Sequence, residues 1–289
     1  MRAPAAVLVL LCGALASLAL AQDRGPNAPL ATATAPVAPP APGATLPRDA
    51  DALAQALQLA DAQLAPAIDT WAARGGAPPR DVARLALYVQ RIRLRLVRAP
   101  RLFARVLRRI PPRLRAETRD WVLAKRELAR IHSVVLKRPR IRIGRAEAPQ
   151  RLLAYYRRAQ KRFDVRWSLL AAVNYVESAF GRLRNESVSG ARGPMQFMPA
   201  TWRAYGLGGD VHDPRDAILG AANYLHANGA PRNGARALYH YNPSRLYVRA
   251  VLRFARAISA DRRAFYGYYA QQVFVRSSRG YRRVSSFGL

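Results

Sequence analysis

The sequence offers one carboxylate that continues an apolar helix face. In the run Ser168-Leu-Leu-Ala-Ala-Val-Asn-Tyr-Val-Glu-Ser-Ala-Phe180, steps of three and four residues from Leu170 reach Val173 or Asn174 and then Glu177. A carboxyl so placed is partly desolvated, which disfavours its charged form and raises its pKa toward the range of a general acid at neutral pH. The position also suits a glutamate at the stripe's edge that turns to solvent or caps a neighbouring group. Its surroundings therefore decide.

Downstream lie Ser187-Val-Ser-Gly-Ala-Arg-Gly-Pro-Met-Gln-Phe-Met-Pro-Ala-Thr-Trp202 and Ala237-Leu-Tyr-His-Tyr-Asn-Pro-Ser-Arg-Leu-Tyr-Val248. Gly190 and Gly193 permit close approach of backbone to a ligand, although a tight turn serving only the fold would use them too. Met195 and Phe197 suit a core as well as a site. Tyr239 and Tyr241 are read as sharing one side of a short segment, with one ring free to stack on a ligand while the other packs inside. The histidines His132, His212, His226 and His240 lack cysteine partners and i, i+4 pairing, so no metal or other cofactor is expected.

Three blocks carry a family resemblance. Glu177-Ser178-Ala179-Phe180, Gly190-Ala191-x-Gly193-Pro194-Met195-Gln196-Phe197 and Tyr241-Asn242 resemble, in order, the signatures of the lytic transglycosylases, across roughly Gln150 to Ile258. The resemblance implies a mainly helical, lysozyme-like domain of the goose-type and transglycosylase kind that cleaves peptidoglycan between N-acetylmuramic acid and N-acetylglucosamine, releasing a 1,6-anhydro product. Position by position, it puts the catalytic glutamate on Glu177, a groove-lining serine on Ser187, the Met-Gln pair on Met195 and Gln196, and a tyrosine near the acid on Tyr241. Asn242 would hold substrate or Tyr241, and Gly190 and Gly193 would leave N–H groups free for an N-acetyl group. Pro243-Ser244 departs from the Ala-Gly of one branch and resembles the Asn-x-Ser-x-x-Tyr-Val of the membrane-bound type B branch.

A hydrolase would usually need a second carboxylate, about 5 Å away as nucleophile or about 6.5 to 9.5 Å away as base for a water. Between Arg166 and Ile258 the other acids are Glu186, Asp210, Asp213 and Asp216. Asp213-Pro214-Arg215-Asp216 precedes an apolar helix, so Asp213 fits the N-cap and Asp216 the first turn. Glu186 and Asp210 sit in loops, from which either could share the cleft in a muramidase, as second acids do in goose-type lysozymes. A third possibility is a wall-binding protein that keeps the groove without chemistry.

The elements that must position these groups read as helices: Arg151 to Phe163, Trp167 to Phe180, a short one after Pro199, Pro214 to Asn228, and Leu246 to Ile258. Before them, residues 50–140 form a basic helical region, cut by Gly75-Gly76, Pro78-Pro79 and Pro111-Pro112, with basic helices at Val82 to Val97 and Leu114 to Ile131. The catalytic domain is expected over 148–260. In the tail, 261–289, Gln272 to Arg276 and Tyr281 to Val284 predict a small β-hairpin around Ser278-Arg279-Gly280.

Met1-Arg2, an apolar run from Ala5 to Leu20 and Ala19-Leu20-Ala21 have the order of a signal peptide over residues 1–21, which implies export to the periplasm or the cell wall. Cys12, the only cysteine, lies within it, so the mature protein depends on a buried core and not on disulfides. Residues 22–49 read as a Pro/Ala-rich linker, and no later run is long and apolar enough for a stable membrane span. The 48 Lys and Arg against 17 Asp and Glu attract polyanions. Charge alone would also suit a nucleic-acid-binding protein, but export and the lack of a nucleic-acid motif stand against it, and the expected partners are peptidoglycan glycan strands, with anionic wall polymers on the basic helices.

Overall fold

A computed structural model of the protein describes residues 38–131, 141–277, 280–285 and 287–289. The expected signal peptide with Cys12, most of the linker, His132, the Lys137-Arg138-Pro139-Arg140 cluster and the Ser278-Arg279 turn lie outside these residues.

Eleven helices and one hairpin are found among the described residues. They are α1 (Ala50–Arg74), α2 (Arg80–Arg98), α3 (Pro100–Leu107), α4 (Pro112–Ile131), α5 (Pro149–Phe163), α6 (Trp167–Ser178), α7 (Pro199–Tyr205), α8 (Pro214–Ala227), α9 (Gly234–Tyr241), α10 (Arg245–Ala260) and α11 (Arg262–Ala270), followed by β1 (Phe274–Ser277) and β2 (Gly280–Arg283). Local chemistry sets many of the boundaries. Proline opens α3, α5, α7 and α8, where its missing N–H costs nothing and its fixed φ suits the first turn. Asp49 caps α1 by accepting from the Ala52 N–H at 2.8 Å, and Asp213 caps α8 by accepting from Arg215 and Asp216 at 2.9 and 3.0 Å. The hairpin is antiparallel, with Phe274 opposite Arg283.

The described residues from 39 to 289 form one compact unit, so the basic helices and the later helices share a body. Helix α6 is its centre: every residue from Ser168 to Tyr175 is buried, as expected of a helix that is apolar on all sides. Helix α10 packs against both α6 and α4. On the α4 side it presents a ladder of arginines. Arg249 and Arg253 reach Glu127 at 3.0 and 3.1 Å, and Arg253 and Arg256 reach Asp120 at 3.2 and 2.9 Å. At another contact, Trp71 of α1 meets Tyr266 of α11 edge to face, with ring centroids 5.1 Å apart.

Helices α9 and α11 are additional to those read from the sequence. Because Gly234–Tyr241 is helical, Tyr239 and Tyr241 are about 200° apart around the axis and do not share one side. Tyr239 is exposed, while Tyr241 turns inward against Phe197 and Tyr224.

Candidate active site

Glu177 stands at the end of α6, where the chain leaves the helix through an unusual turn. Ala179, Phe180 and Gly181 all have positive φ, at 52°, 64° and 82°. The two non-glycine residues carry a cost of order 1 kcal/mol or more each, offset by surrounding contacts. Ser178 Oγ accepts the Gly181 N–H at 2.8 Å, and the Phe180 ring is buried against Tyr175 and Phe265.

The residues flanking Glu177 on α6 tie the glycine loop to the helix. The Asn174 amide and the Ser178 hydroxyl both donate to the Pro194 carbonyl, at 2.8 and 2.5 Å. Asn174 is itself oriented by the Tyr156 hydroxyl, which donates to its Oδ1 at 2.6 Å. One residue further along the loop, the Met195 carbonyl accepts from the Tyr241 hydroxyl at 2.6 Å. The loop bearing Gln196 is therefore pinned to α6 and α9.

The carboxyl of Glu177 accepts from the Tyr247 hydroxyl at 2.5 Å. Tyr247 lies in the first turn of α10 and is buried; Ser244 caps that helix by accepting from the Tyr247 N–H at 3.4 Å. Burial raises the Glu177 pKa from 4.5 to about 7, and the Tyr247 bond opposes this by stabilising the charged form. The phenols of Tyr241 and Tyr247 are held well above their usual value, first by burial and then by the nearby Glu177 charge. Both phenols thus stay protonated donors beside one partly buried carboxyl.

The residues expected to contact substrate have different fates. Gln196, at φ 52°, donates from its side-chain amide to Gly193 O at 3.0 Å and Asn185 O at 3.4 Å. The Asn242 side chain is partly buried and makes no hydrogen bond among the described residues. Ser187 is exposed and closes its own loop, its hydroxyl accepting from the Ala191 N–H at 2.9 Å. Met195 differs from its expected place: its side chain is fully buried in the core, so only its carbonyl serves the site. Gly190 also differs, because its N–H is taken by Ser187 O at 2.9 Å and is not free for a ligand. Gly193 is a glycine for steric reasons, since a Cβ there would lie 1.9 Å from the Val211 carbonyl oxygen.

The rival acids are otherwise engaged. Glu186 is exposed and paired with Arg192 at 3.2 Å, and exposed Asp210 accepts from the His212 N–H in its own turn at 2.8 Å. Asp213 and Asp216 serve the start of α8, where Asp216 also meets Arg215 at 3.0 Å. Among the described residues, no group of three histidines, cysteines or carboxylates is placed to hold a metal ion.

Sequence reasoning left Tyr247 out of the site, although the Asn-x-Ser-x-x-Tyr-Val pattern contains it. Asn174 and Ser178 were likewise visible only as neighbours of Glu177 on the helix.

A partly buried carboxyl with a raised pKa stands at the end of a central helix, with phenols beside it and no cation paired to it among the described residues, an arrangement suited to acid/base chemistry. Residues 154–259 match the Transglycosylase SLT domain family model. The match covers 106 of the 289 residues, and this helical segment is similar to such a domain. Neither the curated proteins nor the solved structures gave a match to the chain.

Proposed function

We propose that the protein is a lytic transglycosylase that breaks the β-1,4 bond between N-acetylmuramic acid and N-acetylglucosamine without using water. Protonated Glu177 gives its proton to the departing glycosidic oxygen as the bond to C1 of the muramic acid breaks. The resulting carboxylate takes the proton of the muramic acid 6-hydroxyl while that oxygen bonds to C1. The 1,6-anhydro ring closes and Glu177 is protonated again.

The observation that carries this reading is a carboxyl with its pKa near 7, bonded to a phenol and to no cation among the described residues. Near neutrality it exists in both forms, which suits one residue that must donate and then accept. The engagement of Glu186 and Asp210 elsewhere favours this over a two-carboxylate hydrolase. Around the acid, Gln196 and Asn242 are assigned to substrate contact, Ser187 and Gly190 to the groove wall, and Met195 with Tyr241 to the framework that holds the loop against α6.

The same reading places the protein outside the cytoplasm, with residues 1–21 as its signal peptide, 22–49 as linker and 148–260 as the catalytic segment. Asp51, Asp61, Asp69, Glu117, Asp120 and Glu127 in the first helices all face arginines already, so the chain's large cationic excess remains for anionic wall polymer. No helix among the described residues is long and apolar enough to cross a membrane.

Digestion of purified peptidoglycan followed by mass analysis tests the mechanism. Released muropeptides are expected one water lighter than hydrolytic products; hydrated products would establish a muramidase instead. Glu186→Gln and Asp210→Asn are expected to release the same anhydro products as the wild type.

A further inference from the structure

The end of α6 opposite Glu177 borders a separate cavity. Its volume is about 490 Å³, within the ~300 to 1,000 Å³ typical of small-molecule sites. Arg166, Ser168 and Leu169 form one wall, and Leu252, Ala255 and Arg256 of α10 form the other. Its lining includes one buried residue with a polar side chain. Ser168 is only 4% exposed, yet its hydroxyl has no hydrogen-bond partner among the described residues.

The backbone at this helix start is also incomplete. The Trp167 N–H goes to Gln160 Oε1 at 2.6 Å and the Leu169 N–H to Arg166 O at 3.0 Å, while the Ser168 N–H between them has no partner among the described residues. The N-cap residue, Arg166, offers no side-chain cap of its own. The aligned peptide dipoles of α6 favour negative charge at this end. Arg166 stands exposed beside it. Arg256 uses Nε and Nη2 on Asp120, at 2.9 and 3.0 Å, and keeps Nη1 in hand. Asp120 is shared with Arg253, so the carboxylate that Arg256 meets is already matched by two cations.

A buried hydroxyl, an open amide and guanidinium groups call for an anion, and the aliphatic walls call for an apolar body attached to it. A peptide ending in a free carboxylate supplies both. Bare phosphate would leave Leu169, Leu252 and Ala255 uncovered. We propose that this cavity binds the carboxylate end of a short aliphatic peptide. The source rests on the peptidoglycan reading above, since wall glycan carries peptide stems that end in such carboxylates. Ser168 and Glu177 are separated by roughly 14 Å along the helix. An extended stem of about four or five residues spans a similar distance at ~3.4 Å per residue.

The test is an amide-shift titration of the full chain with N-acetyl-D-alanyl-D-alanine, with its C-terminal amide and with inorganic phosphate. The free acid is expected to shift the Ser168 and Leu169 signals saturably, and the amide to bind at least about tenfold more weakly. Ser168→Ala and Arg166→Gln should each weaken the free acid by about tenfold. Glu177→Gln should bind it like the wild type. Equal binding of acid and amide, saturation by phosphate alone, no saturable shift, or undiminished binding by both cavity variants would overturn the proposal. The readout is independent of glycan cleavage, so a failed digestion and a failed titration remain distinguishable.

Discussion

Two regions of α10 meet carboxylates, and they treat them in opposite ways. On the side facing α4, Arg249, Arg253 and Arg256 take up Asp120 and Glu127 in a ladder of ion pairs. In its first turn the same helix offers Glu177 only the hydroxyl of Tyr247. Among the described residues Asp49, Asp81, Asp164 and Asp210 also lack an ion pair, but all four are exposed, whereas Glu177 is not. An opposite charge within about 4 to 6 Å would pull its pKa down by about 1 to 3 units and leave it no proton to give near neutrality. Burial without a cation makes an acid; burial with arginines makes a seam.

The strongest way to break this contrast is Glu177→Gln. Peptidoglycan cleavage should fall about a thousandfold or more, the scale of general acid/base catalysis. The wild-type rate should decline as pH rises through about 7, where the Glu177 proton is lost. Stability should move the other way. Because the folded pKa is raised from 4.5 to about 7, folding favours the protonated form, and a cost develops as pH rises across that window and persists above it. The glutamine variant lacks that cost. It should be more stable than the wild type at pH 8 by about 1 to 2 kcal/mol, measured by urea unfolding, and the two should converge below pH 4. Retained cleavage, or a variant less stable at pH 8, would remove Glu177 from the role.

Asp120→Asn probes the other region. It leaves Arg253 and Arg256 without their shared carboxylate at a buried position, a loss of about 2 kcal/mol once the partial exposure of the arginines is allowed for. Urea unfolding should show the loss, while the rate of peptidoglycan release under native conditions stays near that of the wild type. A large fall in rate with little loss of stability would mean that the seam aims Tyr247, and the two regions would then be one device.

The helices were legible in the sequence because their signals are local. Pro199 and Pro214 mark first turns, Asp213 reads as a cap before it is seen as one, and the stripe from Leu170 brings Glu177 to the inner face. The site was legible only where one element contains it. Tyr247 lies 70 positions from Glu177 and Arg256 lies 136 positions from Asp120, and no periodicity encodes such pairings. Met195 suited a core or a site in the sequence, and only the folded loop decides: its carbonyl accepts from Tyr241 while its side chain lies in the core. Helix α9 was hidden by its closely spaced tyrosines, which were read as sharing one side of a short segment.

Tyr247→Phe tests the finest part of the contrast, because it removes a hydroxyl and keeps the ring. The lost bond favoured the carboxylate, so the Glu177 pKa should rise further and the alkaline limb of the pH–rate profile should move up by about one unit. At neutral pH the rate should fall about tenfold, because the acid is kept but the base that must accept the second proton is formed less readily. The ring's packing survives, so the unfolding midpoint should change little. A limb that moves down in pH would show that the hydroxyl supports the protonated form, reversing the role given to it. An unmoved limb with a lower melting temperature would make Tyr247 a packing residue only.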